Sequence, residues 1–269
     1  MATISLYSAS TGMNALNTRL DVIANNLANV NTDGFKGSRA NFQDLLYQEK
    51  RLPGVENANG DQQPTGLYVG LGVKVSGTQL DFRQGAPIET GKDLDLLIDG
   101  DGFFQVEVED AVSETRIAYT RAGNFVKNAD GEIVLANDLG YRLVPNLEIP
   151  PDAVKVQIGT DGRVFVLLSG QTQAEEIGQL QIATFINPEG LSQIGGNLYV
   201  ETAASGNPFV GEPATDQFGM IRAGYLEGSN VDPTRELIEL IRTQRAFEMN
   251  SQVVRAADET LRAIGQLRR

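Results

Sequence analysis

The fold of this chain is decided near its N-terminus, where residues 6–30 read LYSASTGMNALNTRLDVIANNLANV. Apolar or small side chains recur there at alternating spacings of three and four residues, at Leu6, Ala9, Met13, Leu16, Leu20, Ile23, Leu27 and Val30. This heptad pattern predicts an amphipathic helix over residues 4–31, about 40 Å long. The opposite face carries six asparagines and almost no charge. We therefore expect that face to contact protein as well, and a helix packed only on its own domain is the alternative.

A second long helix is predicted over residues 233–269. Asp232 can accept hydrogen bonds from its first free amide groups, and Pro233 suits the first helical position. The apolar side chains of this helix repeat every seven residues at Leu240, Phe247, Val254 and Leu261. A second stripe, which includes Met249 and Val253, would allow the helix to contact two neighbours at once.

The two terminal helices are expected to pair with each other, because an isolated helix is only marginally stable in water. A pair of helices still buries little surface, so other copies of the chain should cover the rest. The predicted self-assembly interface comprises Leu6, Met13, Leu16, Leu20, Ile23, Leu27, Val30, Leu237, Leu240, Phe247, Val254 and Leu261.

The middle of the chain is expected to form strands, since it holds 27 of the 29 glycines and nine of the ten prolines. Nine short segments there are rich in β-branched and aromatic residues and are bounded by turn residues. They are 94–98, 103–108, 117–120, 125–127, 133–136, 154–158, 164–168, 180–186 and 198–202. The predicted fold class is mixed α and β, with long N- and C-terminal helices that pair as a coiled coil and a central, mostly antiparallel all-β domain.

Five segments follow from this reading of the sequence. They are an N-terminal helix (1–32), an extended linker and exposed loop (33–74), the central β domain (75–205), returning linker strands (206–232) and a C-terminal helix (233–269). The loop near residues 52–72 is too polar to nucleate a core, so we expect it to be exposed or to be ordered by a partner.

The composition excludes several classes of protein. The chain has no cysteine and no histidine, which excludes disulfides and removes the commonest general base and metal ligand. The 22 Lys+Arg against 35 Asp+Glu argue against a nucleic-acid partner. No stretch is long and apolar enough for a membrane helix. The pattern of a secretory signal peptide is missing, so we expect either a cytosolic location or export without cleavage.

Three kinds of chemical site fit these residues poorly. Asp93, Asp95, Asp99 and Asp101 cluster near Asp-Gly repeats but match no calcium-loop register. Carboxylate pairs for glycoside hydrolysis are abundant, yet tryptophan is absent and aromatic residues make up only 7% of the chain. The glycines at 70–72 and 100–102 lack the spacing of a nucleotide-binding loop. We therefore expect no catalytic residue, no cofactor and no metal, and a soluble coiled-coil binding module stays open as an alternative.

Both ends of the chain resemble one known family, the bacterial flagellar rod and hook proteins. The resemblance rests on residues 21–36, DVIANNLANVNTDGFK, and on residues 227–232, EGSNVD, and 244–248, QRAFE. It continues through the middle in residues 42–48, FQDLLYQ, and 196–202, GNLYVET. The family-motif positions are Asn25, Asn26, Asn29, Gly34, Phe35, Asn230, Gln244 and Arg245.

The resemblance implies a structural subunit of the distal part of the rod, with a proximal rod subunit as the alternative. Such a subunit polymerises helically through its terminal helices, which form the inner tube of a rigid hollow shaft. The shaft transmits torque from the motor to the hook and passes exported subunits. The implied partners are other copies of the chain, proximal rod proteins, the hook protein, the surrounding P and L rings and the flagellar type III export apparatus. The implied location is the flagellar basal body, where the rod crosses the periplasm, without nucleic acid and without membrane insertion.

The resemblance also implies a segment that stiffens the rod relative to the hook. In this chain the corresponding segment covers residues 49–66, directly after the Leu-Leu-Tyr-Gln stretch. Its candidate stiffening residues are Arg51, Pro53 and Gly54, and the sequence departs from the family pattern beyond them.

Overall fold

The computed structural model describes residues 2–54, 64–109, 115–171, 173–215 and 217–267. Within them the chain forms a helix at each end, α1 (Ala2–Ala28) and α2 (Pro233–Leu267), with strands between the two helices and a short 3-10 helix at Pro188–Gly190. The first ten strands are β1 (Ser38–Asp44), β2 (Tyr47–Arg51), β3 (Leu67–Gly70), β4 (Val73–Leu80), β5 (Pro87–Glu89), β6 (Leu96–Asp99), β7 (Phe103–Glu107), β8 (Ile117–Thr120), β9 (Phe125–Lys127) and β10 (Ile133–Leu135). The remaining strands are β11 (Leu143–Val144), β12 (Ala153–Ile158), β13 (Arg163–Leu168), β14 (Glu175–Gln179), β15 (Ile182–Thr184), β16 (Ser192–Gly195), β17 (Leu198–Val200), β18 (Phe209–Gly211), β19 (Met220–Ala223) and β20 (Tyr225–Glu227).

The chain divides into two compact units. The first unit comprises Met1–Ala28, Ser38–Gln79 and Asp232–Arg269, and the second comprises Asn29–Gly37 and Leu80–Val231. Both termini therefore belong to the first unit, and the second unit contains most of the strands.

The first unit is built on the two helices. They run antiparallel, because Gly12 of α1 lies beside Asn250 and Arg19 lies beside Glu239. In the same unit β1 pairs with β4, and β2 pairs with β3. The carboxylate of Asp232 accepts a hydrogen bond from the N–H of Thr234 at 2.9 Å, which confirms the predicted start of α2.

The second unit is built on a seven-stranded sheet. Its strands follow the order β16-β17-β8-β7-β15-β18, and β11 also pairs with β7. A three-stranded sheet, β12-β13-β14, and the strand pairs β9-β10, β6-β19 and β5-β20 complete the unit. The pairs whose register is recorded, such as β7 with β8 and β7 with β15, are antiparallel.

Two apolar clusters form the core of the second unit. The larger contains fully buried side chains from several sheets, including Leu96, Phe104, Ile133, Val164, Ile182 and Ile221. The smaller is aromatic: Tyr119 meets Phe185 edge to face with ring centroids 4.8 Å apart, and Phe82 meets Tyr199 in the same way at 5.3 Å. Burial of these rings supplies the main apolar stabilisation of this part of the sheet.

The predicted fold class is wrong in how it separates helices from strands. The structure is a mixed α and β fold with only two α-helices in the described residues, and its strands are not gathered into one central all-β domain beside a two-helix coiled coil. Strands β1 to β4 group with both helices in the first unit. Side chains of α1 bind the backbone of β3 and β4, since the N–H of Val73 donates to Thr11 Oγ1 at 3.4 Å and the hydroxyl of Ser8 donates to the carbonyl of Gly70 at 3.4 Å.

The individual strand predictions are confirmed more closely than the fold class. All nine predicted segments contain or overlap observed strands, and 117–120 and 125–127 have the observed bounds of β8 and β9. The five predicted segment boundaries stay a prediction, and residues 55–63 of the predicted exposed loop lie outside the described residues.

Candidate self-assembly interface

The two helices of the first unit meet along one continuous seam. On α1 the predicted heptad positions that lie within the helix are at least half-buried, and Ala9 and Ile23 are buried. On α2 the shielded positions include Glu236, Leu240, Thr243, Phe247, Asn250, Val254 and Ala257. They are spaced by three and four residues, and apolar side chains alternate with polar or small ones. The seam therefore contains hydrogen-bonding groups that can fix how the helices align.

Two polar contacts join the helices near the end of α1 and the start of α2. Arg19 Nη2 lies 2.5 Å from Glu239 Oε2, and since both side chains are partly exposed this ion pair contributes about 0.5 kcal/mol. Asn26 Nδ2 donates to Glu236 Oε1 at 3.3 Å. Burial raises the pKa of Glu236, whereas the hydrogen bond from Asn26 opposes that rise.

Asn26 is buried within its own chain. Its side-chain oxygen accepts the N–H of Ser38 at 3.0 Å, and its Nδ2 donates to the carbonyl of the same residue at 2.8 Å. Asn26 thus pairs both backbone groups of the first residue of β1. Asn26 thus follows the alternative, a helix packed on its own chain, while Asn14, Asn17, Asn25 and Asn31 are exposed. Contact of the asparagine face with another chain stays a prediction.

The face of α2 that points away from α1 exposes large apolar side chains. They recur mostly at spacings of three, four and eight residues and therefore share one side of the helix: Leu237, Ile238, Ile241, Met249 and Val253. We call these five residues the outer stripe. An apolar helix face normally packs against another element, so the outer stripe is a candidate contact surface for a further protein chain.

The predicted interface residues do not all lie on one surface. Those that face the α1–α2 seam are shielded within the chain: Leu6, Met13, Leu16, Leu20, Ile23, Leu27, Leu240, Phe247 and Val254. Leu237 belongs to the outer stripe, Leu261 is exposed near the end of α2, and Val30 is half-buried in the second unit.

The candidate stiffening residues lie at the end of β2 and just after it. Arg51 is the last residue of β2, and Arg51, Pro53 and Gly54 are all exposed. Gly54 has a φ of +80°, a left-handed conformation that favours glycine. Residues 55–63 of the predicted stiffening segment lie outside the described residues.

Sequence reasoning missed a buried charge cluster in the second unit. Lys36 Nζ lies 2.5 Å from Glu227 Oε1, and both side chains are fully buried. Lys36 also donates to the carbonyl of Arg83 at 2.7 Å, and Glu227 Oε1 accepts the N–H of Gly85 at 2.8 Å. Arg121 approaches Glu227 Oε2 at 3.5 Å. Burial lowers the pKa of Lys36, and the Glu227 carboxylate limits that fall.

The family-motif residues around this cluster join distant parts of the chain. The N–H of Gly34 donates to the carbonyl of Glu227 at 2.6 Å. Asn230 accepts the N–H of Gly37 at 2.8 Å and donates to the carbonyl of Asp81 at 2.6 Å. The predicted motif positions Gly34 and Asn230 therefore link distant segments within the second unit. Phe35, which directly follows Gly34, is half-buried.

The other motif positions lie on the two helices or directly after α1. Asn29 accepts the hydroxyl of Thr32 at 3.1 Å just after α1 ends. Asn25, Gln244 and Arg245 are exposed on the two helices.

The sequence contained one signal for the buried charge cluster. Lys36 directly follows Gly34 and Phe35 in the N-terminal motif, and Glu227 is the first residue of the C-terminal motif.

Other features of the described residues bear on the range of functions. Across those ranges no three Asp or Glu side chains converge in a way that could hold a metal ion. Neither helix, over the part that the structure describes, is long and apolar enough to cross a membrane.

Three family profiles match the chain. The profile described as flagella basal body rod protein matches residues 6–36, and the flagellar hook protein FlgE/F/G D1 domain matches residues 97–166. The profile described as flagellar basal body rod FlgEFG protein C-terminal matches residues 222–267. The first and last of these contain both sets of terminal motif residues.

Characterised relatives match over nearly the whole chain. A flagellar basal-body rod protein FlgG from Agrobacterium fabrum is 47% identical and covers 95% of each chain. A protein of the same name from Caulobacter vibrioides is 45% identical over 98% of this chain and 99% of its own. Flagellar basal-body rod protein FlgF from Caulobacter vibrioides is 32% identical over 91% of this chain and 89% of its own. The match is therefore higher to the FlgG protein than to the FlgF protein of the same organism.

Proposed function

Because this chain belongs to the flagellar basal-body rod protein family and is a structural subunit of the distal rod, we propose that it polymerises helically through its terminal helices. The product would be a rigid hollow tube that transmits torque from the motor to the hook and passes exported subunits. The chain is part of the flagellum, and its assembly with other flagellar components follows from its family.

The outer stripe carries this proposal. Its five apolar side chains lie on α2 opposite the seam with α1, so the described residues of α1 leave them exposed. Full burial of one such side chain contributes about 1.5–3 kcal/mol. Because α2 has one apolar seam on each side, it can bind α1 of the same chain along one seam and a helix of another copy along the other. Repetition of that second contact produces a polymer rather than a closed pair, provided that the two contacting surfaces differ.

Two features support stiffness of the resulting shaft. Within the first unit, the polar contacts of Arg19 and Asn26 with α2 give the helix pair one preferred alignment. Within the second unit, the buried Lys36–Glu227 pair and the aromatic cluster resist local opening. We propose further that Arg51, Pro53 and Gly54 act at contacts between copies, which would stiffen the rod.

The remaining assignments are proposals drawn from the family. The neighbours of the chain are proximal rod proteins, the hook protein, the P and L rings and the flagellar type III export apparatus. Its place is the distal rod, where the basal body crosses the periplasm. Its role is structural and not enzymatic, which agrees with a chain that contains neither histidine nor cysteine.

The proposal is tested by placing a charge on the outer stripe. We expect Ile241→Glu to reduce the number of assembled rods at least about tenfold in a strain that lacks its own distal rod protein. Rods are counted by electron microscopy of purified basal bodies. Circular dichroism of the purified chain checks that α2 still forms.

Ile241→Met is the matched control, because it keeps an apolar side chain of similar size at the same position. It should support normal rod numbers. Equal assembly by Ile241→Glu and Ile241→Met would contradict polymerisation through the outer stripe.

A further inference from the structure

An aromatic groove opens on the surface of the second unit. It has a volume of about 620 Å³, and its walls include Phe82, Phe103, Phe185 and Phe209. Ile186, at its margin, is 80% exposed. Arg121 also lines the groove, and its guanidinium lies 5.3 Å from the centroid of the Phe103 ring, a cation–π contact that helps to hold that ring in place. The groove is concave, and besides the aromatic rings its lining includes the polar side chains of Asp101, Arg121, Thr184 and Gln217.

The edge of the main sheet lies beside this groove. β18 is the last strand of the seven-stranded sheet and pairs with β15 on one side. It presents Phe209 and Val210 to solvent, each about half-exposed. Native proteins rarely leave an apolar edge strand open, because it readily binds other chains. The groove and this edge share Phe209, and together they mark a surface that another protein chain could cover.

A protruding apolar group lies in the first unit, at the turn between β1 and β2. Leu46 is 83% exposed, the highest value for a large apolar side chain in the described residues, and Tyr47 beside it is more than half-exposed. Their backbone is firmly held: the N–H of Leu45 donates to the carbonyl of Gly72 at 2.8 Å, and the N–H of Leu71 donates to the carbonyl of Leu46 at 3.1 Å. The exposure of Leu46 is thus imposed by hydrogen-bonded structure.

Charge favours contact between unlike units of two copies. The first unit contains 12 Lys+Arg and 11 Asp+Glu, whereas the second contains 10 and 24. Two second units repel each other through their excess of negative charge, while a first unit approaches a second unit without that penalty. β2, which follows Leu46, also carries Lys50 and Arg51.

From these observations we infer that Leu46 and Tyr47 of one copy insert into the aromatic groove of a second copy. The inference rests on the proposed function, because an open-ended homopolymer needs two different complementary surfaces on every copy. Leu46 and the groove form such a pair, one convex and one concave. This contact would add to the one made by the outer stripe and would link neighbouring subunits at a second point.

Cross-linking tests this contact directly, since the chain has no natural cysteine. Leu46→Cys and Phe209→Cys are introduced together, rods are assembled in cells that lack their own distal rod protein, and a short bismaleimide is added to the purified rods. We expect a ladder of covalently linked copies on a denaturing gel. The matched control combines Leu46→Cys with Val154→Cys, which is also exposed but lies on β12.

The yield of linked copies should be at least about tenfold higher for the Leu46–Phe209 pair than for the control pair. A second test uses Leu46→Glu, which should reduce rod numbers, and Leu139→Glu, another exposed position, which should not. Rods that form normally with Leu46→Glu, or that link no better through Phe209 than through Val154, would overturn the inference while leaving the proposed function intact. Failure of the unmodified chain to form rods would overturn both.

Discussion

Lys36 and Glu227 form a fully buried ion pair, with Nζ and Oε1 2.5 Å apart. The two residues are 191 positions apart and belong to the two terminal sequence motifs. Arg121 and the backbone N–H of Gly85 complete the hydrogen bonding of the carboxylate. The motifs therefore have a structural role within the second unit that is distinct from the helix contacts. This arrangement leads to the first prediction.

Glu227→Gln should destabilise the second unit by about 3–5 kcal/mol, because it leaves Lys36 and Arg121 buried without a counter-charge. Urea unfolding followed by circular dichroism measures the change. Glu212→Gln is the matched control, since Glu212 is an exposed carboxylate of the same unit, and it should change stability by less than about 0.5 kcal/mol.

Lys36→Met combined with Glu227→Gln should recover part of the stability lost by Glu227→Gln alone, because it removes one of the two uncompensated cations. Equal stability of Glu227→Gln and Glu212→Gln would show that the buried pair has no stabilising role.

The second prediction concerns Gly34, which has a φ of +69°. A Cβ at this position would lie 2.5 Å from the backbone N of Ala122, so Gly34→Ala combines backbone strain with a collision. Gly91 has a similar φ of +71° but open space around it. We expect Gly91→Ala to cost about 1 kcal/mol and Gly34→Ala to cost at least about 3 kcal/mol.

Thermal and urea unfolding of the two glycine variants separate the two effects. The difference between them measures the close approach of residue 34 to Ala122. If both variants lost the same stability, backbone conformation alone would explain the presence of glycine in the motif.

Much of the second unit could be predicted from local sequence. β8 (Ile117–Thr120) and β9 (Phe125–Lys127) have the predicted bounds because their apolar and β-branched residues lie between clear turn signals. β2 was missed because its sequence, Tyr-Gln-Glu-Lys-Arg, is polar and all five residues are exposed. No alternation of apolar and polar residues marks such a strand, so the assignment of β1–β4 to the helical unit could not be made.

The buried pair of Lys36 and Glu227 was beyond prediction for a different reason. Lysine is almost never fully buried unless it is paired, and its partner here is remote in sequence. The residues of the outer stripe could be recognised as apolar from the sequence, but the direction in which they point could not be predicted. Whether they face α1 or solvent depends on the alignment of the two helices, and polar contacts such as Asn26–Glu236 fix that alignment.

The third prediction concerns Asn26, whose side chain pairs both backbone groups of Ser38. Asn26→Ala should destabilise the first unit by about 1–3 kcal/mol, because it leaves buried polar groups without partners. Urea unfolding measures this loss. Asn17→Ala, at an exposed position of the same helix, should be neutral or slightly stabilising, since alanine is the better helix former. Equal destabilisation by both changes would mean that the loss arises from the helix and not from Ser38.

The fourth prediction concerns pH and the carboxyl of Glu236, whose pKa is raised above its ordinary value of 4.5, chiefly by burial. In the folded chain this group keeps its proton to a higher pH than in the unfolded chain. The free energy of unfolding therefore falls as the pH rises from about 4.5 through the raised pKa of Glu236. Above that window the contribution of this group to stability is constant. Glu236→Gln, which is never ionised, should become more stable relative to the natural chain across the same window.

Urea unfolding at a series of pH values measures this relative stability. Glu236→Gln keeps an oxygen that can accept the hydrogen bond from Asn26, so loss of that bond does not obscure the result. Glu236→Asp is the control, because it retains a carboxyl group and should retain a pH dependence of the same sign. A difference in the free energy of unfolding between Glu236→Gln and the natural chain that stayed constant from pH 4 to pH 8 would contradict a raised pKa at this position. The seam between α1 and α2 would then stabilise the ionised carboxylate as well as water does.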